Sequence, residues 1–346
     1  MRKKWFFCSF LAFISVGFIL GAISVSTEAS AAEPILIKFN YAGPKTPPSL
    51  HPLSQTIASF GEKLEKKSGG RFKVEIYWGA SLYKDDPTQY AAIRSNVIQM
   101  CEVSGGRLGG EIPETFLMEL PFAFKDMDHV YRFLTGPGLE LFEPLYLKKG
   151  YKLLSYWQYG LQNFICSKGF LAKPADFQGV KLRIRPSKLV ASTMEAIGAS
   201  AQVIPYMDTY TALQLKTVDG AECPLAVIQA VKWHETGNYA TISQHSLLFA
   251  GILINPKFYD GLPADLKKVL HETIDECTQY GRKVQEDVEY KMPWIMMSEN
   301  NALQFKWLTA KEKSVLRDKV KPVWEEYGNK IPKKFFDVLK QTESAK

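Results

Sequence analysis

The sequence predicts an α/β protein, and three observations carry that expectation. Short β-rich segments alternate with helical patterns along the first 110 residues, as βαβ units do. The chain has 346 residues, 46% of them hydrophobic, enough for a large core and, by length, two domains. From Pro263 to about Asn301 a helical pattern runs with few breaks other than Pro293, far beyond the ~11–12 residues of an average helix.

Taken in order, "PILIKFNYAG" alternates and is β-rich, so it reads as a strand ending at Gly43. "HPLSQTIASFGEKLEKKSGG" spaces Leu53, Ile57, Phe60 and Leu64 as one face of a helix, stopped by Gly69 and Gly70. "RFKVEIYWG" is a second strand, "DDPTQYAAIRSN" opens with a helix cap, and "VIQMCEVS" is a third strand running into the turn "GGRLGG". A helix starts near Asp126, and "KGYKLLSYWQYGLQNFICSKG" reads as two strands joined near Gly160. In "GVKLRIRPS", Val180, Leu182 and Ile184 alternate with Lys181, Arg183 and Arg185, the period of a half-buried strand with three cations on one face. "SKLVASTMEAIGAS" is a helix stopping at Gly198, "AQVIPYMD" is extended, "DTYTALQLKTVDGAE" is a helix into a turn, and "YATISQHSLLFAGILINP" crosses back as strand.

The N-terminus joins Arg2, Lys3 and Lys4 to an apolar run from about Trp5 to Val25, then to the small residues of "ASAAEP". That is the pattern of a cleaved export signal over residues 1–32. The competing reading is a membrane anchor, since the run is long enough to span. The expected mature protein is soluble and periplasmic. The formal charge is +7, and the basic excess is smaller once the signal is removed. No dense Lys/Arg run marks a nucleic-acid partner. Cys101, Cys166, Cys223 and Cys277 are widely spaced, so buried free thiols are expected over disulfides or a metal site.

Catalytic signatures are missing. "SGGRLGG" at 104–110 is neither a dinucleotide fingerprint nor a phosphate loop, there is no G-x-S-x-G, and neither His234-Glu235 nor His271-Glu272 extends to H-E-x-x-H. No cofactor, metal or enzymatic activity is expected.

The stretch 175–235 carries a resemblance. It holds Gly179-Val180-Lys181-Leu182-Arg183, Gly198-Ala199, Tyr210-Thr211-Ala212-Leu213-Gln214 and Val218-Asp219-Gly220-Ala221-Glu222-Cys223-Pro224 in that order. Together with "EKLEKKSGGRFKVEIYWGASL" and "MELPFAF", it resembles the solute receptors of TRAP transporters, the DctP family. The resemblance implies a two-lobed fold of the type II-like periplasmic binding class. Each lobe is then a mixed sheet flanked by helices, and the long helix runs along both. The implied lobes are 33–159 plus about 249–288, and 160–248 plus about 289–346.

By the same resemblance, the protein captures a small organic acid and delivers it, as a monomer, to a permease driven by an ion gradient. The alternatives are a receptor for an ATP-driven importer or a sensor kinase, and a periplasmic enzyme on the same scaffold. Arg183 is the implied carboxylate anchor, its planar fork matching two carboxylate oxygens. Lys181 and Arg185 are expected to face water. Tyr206 falls where some members pack an aromatic on the ligand, and Cys223 where many carry Asn or another polar group. Glu222 is either a contact or structural. Arg107, after Ser104, sits in a loop that lines the cleft in relatives; it either binds a second anionic group, favouring a diacid, or is a surface arginine. Gln162 aligns with a polar or cationic cleft position. Tyr41, Trp157, Tyr159 and Trp233 are candidate aromatic walls.

Overall fold

A computed structural model describes residues 33–46 and 50–344; the expected export signal lies outside them. The strands are β1 (Ile35–Asn40), β2 (Phe72–Tyr77), β3 (Met100–Ser104), β4 (Lys152–Leu161), β5 (Asn163–Cys166), β6 (Lys181–Ile184), β7 (Ser200–Val203), β8 (Gly220–Cys223), β9 (Tyr239–Ile242), β10 (Leu247–Ile254) and β11 (Gln304–Trp307). They form two mixed sheets. The first has the order β2-β1-β3-β10-β4 and the second β11-β9-β5-β8-β6-β7.

In each sheet the odd strand is the one arriving from the other. β10 runs antiparallel to β3 and β4, and β5 runs antiparallel to β8 and β9. The chain crosses first at Gln162, between β4 and β5, and returns between Ile242 and Leu247. The two crossings are bonded to each other: Gln162 N–H donates to the Ser246 carbonyl (2.8 Å), and His245 N–H to the Gln162 carbonyl (3.3 Å). The joint expected near Gly160 therefore sits two residues later. Gly160, at φ +121°, instead allows the register shift where β4 passes Leu248 and Phe249; a Cβ there would come 2.6 Å from Gln285 Nε2.

Helices cover both faces of each sheet, so the central strands lose their alternation. β3 buries four consecutive residues, and Leu182, Arg183 and Ile184 of β6 are all buried. The half-buried reading of β6 is thus corrected: a strand covered on both sides is buried throughout. The helix Pro52–Lys67 buries Leu53, Ile57, Phe60 and Leu64 against the first sheet, as its spacing dictates. The long helix spans Ala264–Glu299, with Pro293 inside. Its first half packs on Pro52–Lys67 and β4. Its end is tied to the second sheet's side, where Glu299 accepts from Gln229 (3.0 Å) and pairs with His234 (2.8 Å).

The C-terminal tail departs from expectation. Helices Ala310–Lys319 and Lys321–Gly328 pack toward Lys188–Ile197 beside the second sheet. The last helix, Lys333–Ser344, returns to Met127–Leu134 and Pro137–Lys148, which lie on β4. Phe335 meets Phe142 at 5.1 Å, and His129 Nε2 bonds the Leu339 carbonyl at 2.8 Å. The apolar face of this helix finds its partner on the first sheet's helices, not on the second's.

Candidate ligand-binding site

β6 delivers Arg183 to the end of the second sheet. Its side chain is buried at 3% exposure, its Nε donates to the Ile204 carbonyl (3.0 Å), and its guanidinium lies over the Trp233 ring (5.2 Å). Among the described residues it forms no ion pair. Burial pulls its pKa below the ordinary arginine value, partly opposed by Cys223 and Glu222. Tyr206 packs against Trp233 at 5.8 Å. Cys223, on β8 beside β6, is buried, and burial above all, with the nearby Glu222, pushes its thiol up to about 12. Gln162, at the crossing, is buried with its Oε1 unpartnered. Arg183, Tyr206, Cys223 and Trp233 thus form one cluster, and Gln162 lies apart from them at the crossing between β4 and β5.

The first sheet supplies a facing group. Tyr41 follows β1, Glu102 and Ser104 lie on β3, and Tyr159 on β4. Burial drives the Tyr41 and Tyr159 hydroxyls well above the ordinary tyrosine value, and each lies within electrostatic reach of Glu102 and of Tyr206 across the gap. Arg107 does not stand free: its guanidinium donates to Asp86 (2.8 Å), and both side chains are about one-third exposed. Burial opposes the Arg107 charge, but Asp86 and Glu102 outweigh it and raise its pKa.

Two expectations on this site are corrected. Trp157 points away, with its indole N–H donating to Thr278 Oγ1 (3.0 Å) and its ring against Phe60 (5.9 Å), under the helices that cover the first sheet. Arg185 does not face water; it lies between Glu119 Oε1 (2.5 Å) and Glu222 Oε1 (2.9 Å), all three side chains at 12% exposure or less. Lys181 is exposed as expected. Glu222 is therefore occupied by Arg185, with His245 Nε2 at 3.7 Å. Burial raises the Glu222 carboxyl, but Arg185 and then His245 more than offset it and hold it below the ordinary value. His245 stacks on Phe164 at 4.4 Å and bonds Ser243 Oγ at 2.7 Å.

Sequence reasoning passes over Glu102, Asp86 and the Glu119–Arg185–Glu222 chain. The only sequence signal for Glu102 is an acid inside an otherwise apolar strand, "MCEVS". Cys101, Cys166, Cys223 and Cys277 are buried and free. Among the described residues no three His, Cys, Asp or Glu side chains gather as a metal site, and no helix is long and apolar enough to cross a membrane.

Two sheets joined by paired crossings, with a guanidinium buried on β6 and without an ion pair among the described residues, define a two-lobed solute receptor. The family "Bacterial extracellular solute-binding protein, family 7" (DctP) matches residues 44–330, and the chain belongs to it. It is 31% identical over 321 residues to the C4-dicarboxylate-binding periplasmic protein DctP of Rhodobacter capsulatus, covering 91% of this chain and 94% of that one. A TRAP periplasmic solute-binding protein from Shewanella oneidensis, solved with bound succinate, shares the fold at TM-score 0.82 and 26% identity, covering 90% and 100%. The sugar acid binding protein DctPAm of Advenella mimigardefordensis, solved with galactonate, gives 0.80 and 27%, covering 90% and 99%.

Proposed function

We propose that this protein is an extracytoplasmic receptor that captures a small organic acid and hands it to a TRAP-type permease driven by an ion gradient. The observation that carries the reading is the state of Arg183. A buried guanidinium without a carboxylate partner is costly, and a ligand carboxylate completes the pair. Trp233 fixes one face of the fork and the Ile204 carbonyl fixes its stem, so the two terminal nitrogens are pre-aimed. Tyr206 packs beside them, while Gln162 offers an unfilled amide oxygen at the crossing.

The lobes in this reading are the two sheets with their helices, hinged where Gln162 and residues 243–246 cross. Because Arg183 is buried, a solute reaches it only when the sheets rotate apart. Contacts made only in the closed form then stabilise closure. The role is binding and release, not catalysis, and the export signal read over 1–32 supports a periplasmic location.

The test is calorimetry with a panel of organic acids on the wild type, Arg183→Lys and Arg183→Ala. Losing one partner of a buried, hydrogen-bonded charge pair costs about 2–5 kcal/mol, which is roughly a thirtyfold to several-thousandfold drop in affinity. Lys keeps the charge but not the fork, and falls between. A cognate acid that binds Arg183→Ala as tightly as wild type ends the proposal.

A further inference from the structure

Glu102 is an unusual residue for the middle of a sheet. It lies on β3, between β1 and β10, and is only 3% exposed. Its backbone carbonyl accepts from Gln89 (3.0 Å), whose own oxygen accepts from Asn40 (2.5 Å), so the strand position is fixed. Tyr159 and Ser104 are side-chain hydrogen-bond partners of its carboxyl, yet the oxygen Oε1 is buried with no partner of its own among the described residues. A buried acceptor without a donor costs free energy, and in a binding cleft the missing donor is a ligand group or a water.

The charge around it disfavours one class of ligand. Arg107 is the cation of this wall, and it is already engaged by Asp86 at 2.8 Å. With Asp86 and Glu102 both facing it, the wall has no positive charge left for a second carboxylate. Of the two readings of Arg107, a second anion site or a surface arginine, this arrangement does not favour the first. We propose that Glu102 is a hydrogen-bond-accepting subsite opposite Arg183, and that the receptor takes a hydroxylated monocarboxylate in preference to a dicarboxylate. The proposal rests on Arg183 as the anchor. It differs from the C4-dicarboxylate named for the Rhodobacter relative.

Protonation gives the proposal a directional signature. Burial pushes the Glu102 carboxyl up to about 7, with Arg107, Tyr159 and Ser104 opposing and Asp86 assisting. The groups facing it are Asp86 and Tyr90 on the helix Asp86–Arg94, Arg107 in the turn after β3, Tyr41 after β1, Tyr159 on β4 and Cys101 on its own strand. A ligand hydroxyl donates best to the carboxylate, so its affinity rises with pH through about 7. A second carboxylate is repelled by that same form, so its affinity falls over the same range.

The experiment is calorimetry at pH 6 and pH 8 with lactate, glycerate, gluconate and galactonate against succinate and fumarate, on the wild type and on Glu102→Gln, Glu102→Asp and Arg183→Ala. The tightest ligand is expected among the hydroxy acids. Its affinity should rise several-fold from pH 6 to pH 8, Glu102→Gln should lower it tenfold or more and flatten the slope, and Glu102→Asp should keep the slope. A dicarboxylate that binds tighter than every hydroxy acid overturns the proposal, as does silence from all four. Wild-type affinity and slope in a folded Glu102→Gln would show that Oε1 faces only water, and would overturn it equally. Arg183→Ala binding as well as wild type strikes the anchor and this proposal with it, and is told apart from a failure at Glu102 alone, in which Arg183→Ala still loses affinity.

Discussion

Arg185 sits 2.5 Å from Glu119, although the two are 66 residues apart in sequence. Its other arm reaches Glu222 at 2.9 Å, so it joins the end of β6 to β8 and to the short helix Phe116–Glu119. Two residues earlier in the chain, Arg183 has no such partner. The same side chain thus occurs twice within three residues, once paired with two carboxylates and once without an ion-pair partner among the described residues.

Arg185→Leu leaves Glu119 and Glu222 buried without their cation. Breaking one side of a buried pair costs about 3–5 kcal/mol, so the urea midpoint should fall steeply. Glu119→Gln and Glu222→Gln added to Arg185→Leu should recover part of the loss, because the stranded charges are gone. A change under about 1 kcal/mol in Arg185→Leu, the range of surface pairs, would show the network to be ornamental.

Acid should dissolve the same network. Arg185, His245 and Arg183 hold the Glu222 carboxyl below its ordinary 4.5 against the opposing pull of burial. A depressed folded value means the stabilisation is complete above about 4.5 and is lost as pH falls through the folded value. Unfolding scans from pH 6 to pH 3 should show wild type losing more stability than Glu222→Gln. Equal slopes would contradict the pairing.

Glu102 has the opposite sign. Its folded value is raised to about 7 from 4.5, so protonation favours the fold: the benefit is full below about 4.5 and is lost as pH rises through about 7. Glu102→Gln should therefore raise the melting temperature of the empty protein at pH 8 and leave it nearly unchanged at pH 4. Destabilisation at pH 8 would mean the carboxylate is better satisfied than its environment indicates.

Gly105 leads the turn after β3 at φ +60°, and a Cβ there would come 2.4 Å from Glu119 Oε1. Gly105→Ala should cost about 1–3 kcal/mol through backbone strain and through displacement of Glu119 from Arg185. Gly110→Ala, in the same turn with open space around it, is the control and should be near neutral. Parity between the two substitutions would remove the close approach as the reason for glycine.

Much of the fold is legible in the sequence because local rules act within a few residues. Leu53, Ile57, Phe60 and Leu64 announce their helix, and Ala264–Glu299 announces its length. Leu316 is the one buried residue of Ala310–Lys319, so that helix has no apolar stripe to read. The site is legible at Arg183 only through an ordered set of motifs, since nothing local separates it from Arg185. What separates them is Glu119 and Glu222, brought from 66 and 37 residues away by topology. Glu102 escapes notice because a lone acid in a strand ordinarily marks a wet face, whereas here both faces are covered.

The helix Ala264–Glu299 is a rod about 54 Å long at 1.5 Å per residue, pinned to β4 near Thr278 and to Gln229 and His234 at Glu299. In the proposed opening that uncovers Arg183, this helix is the post about which the two sheets swing. Spin labels on the two outer rims should sweep apart while a pair set along the post keeps a constant separation.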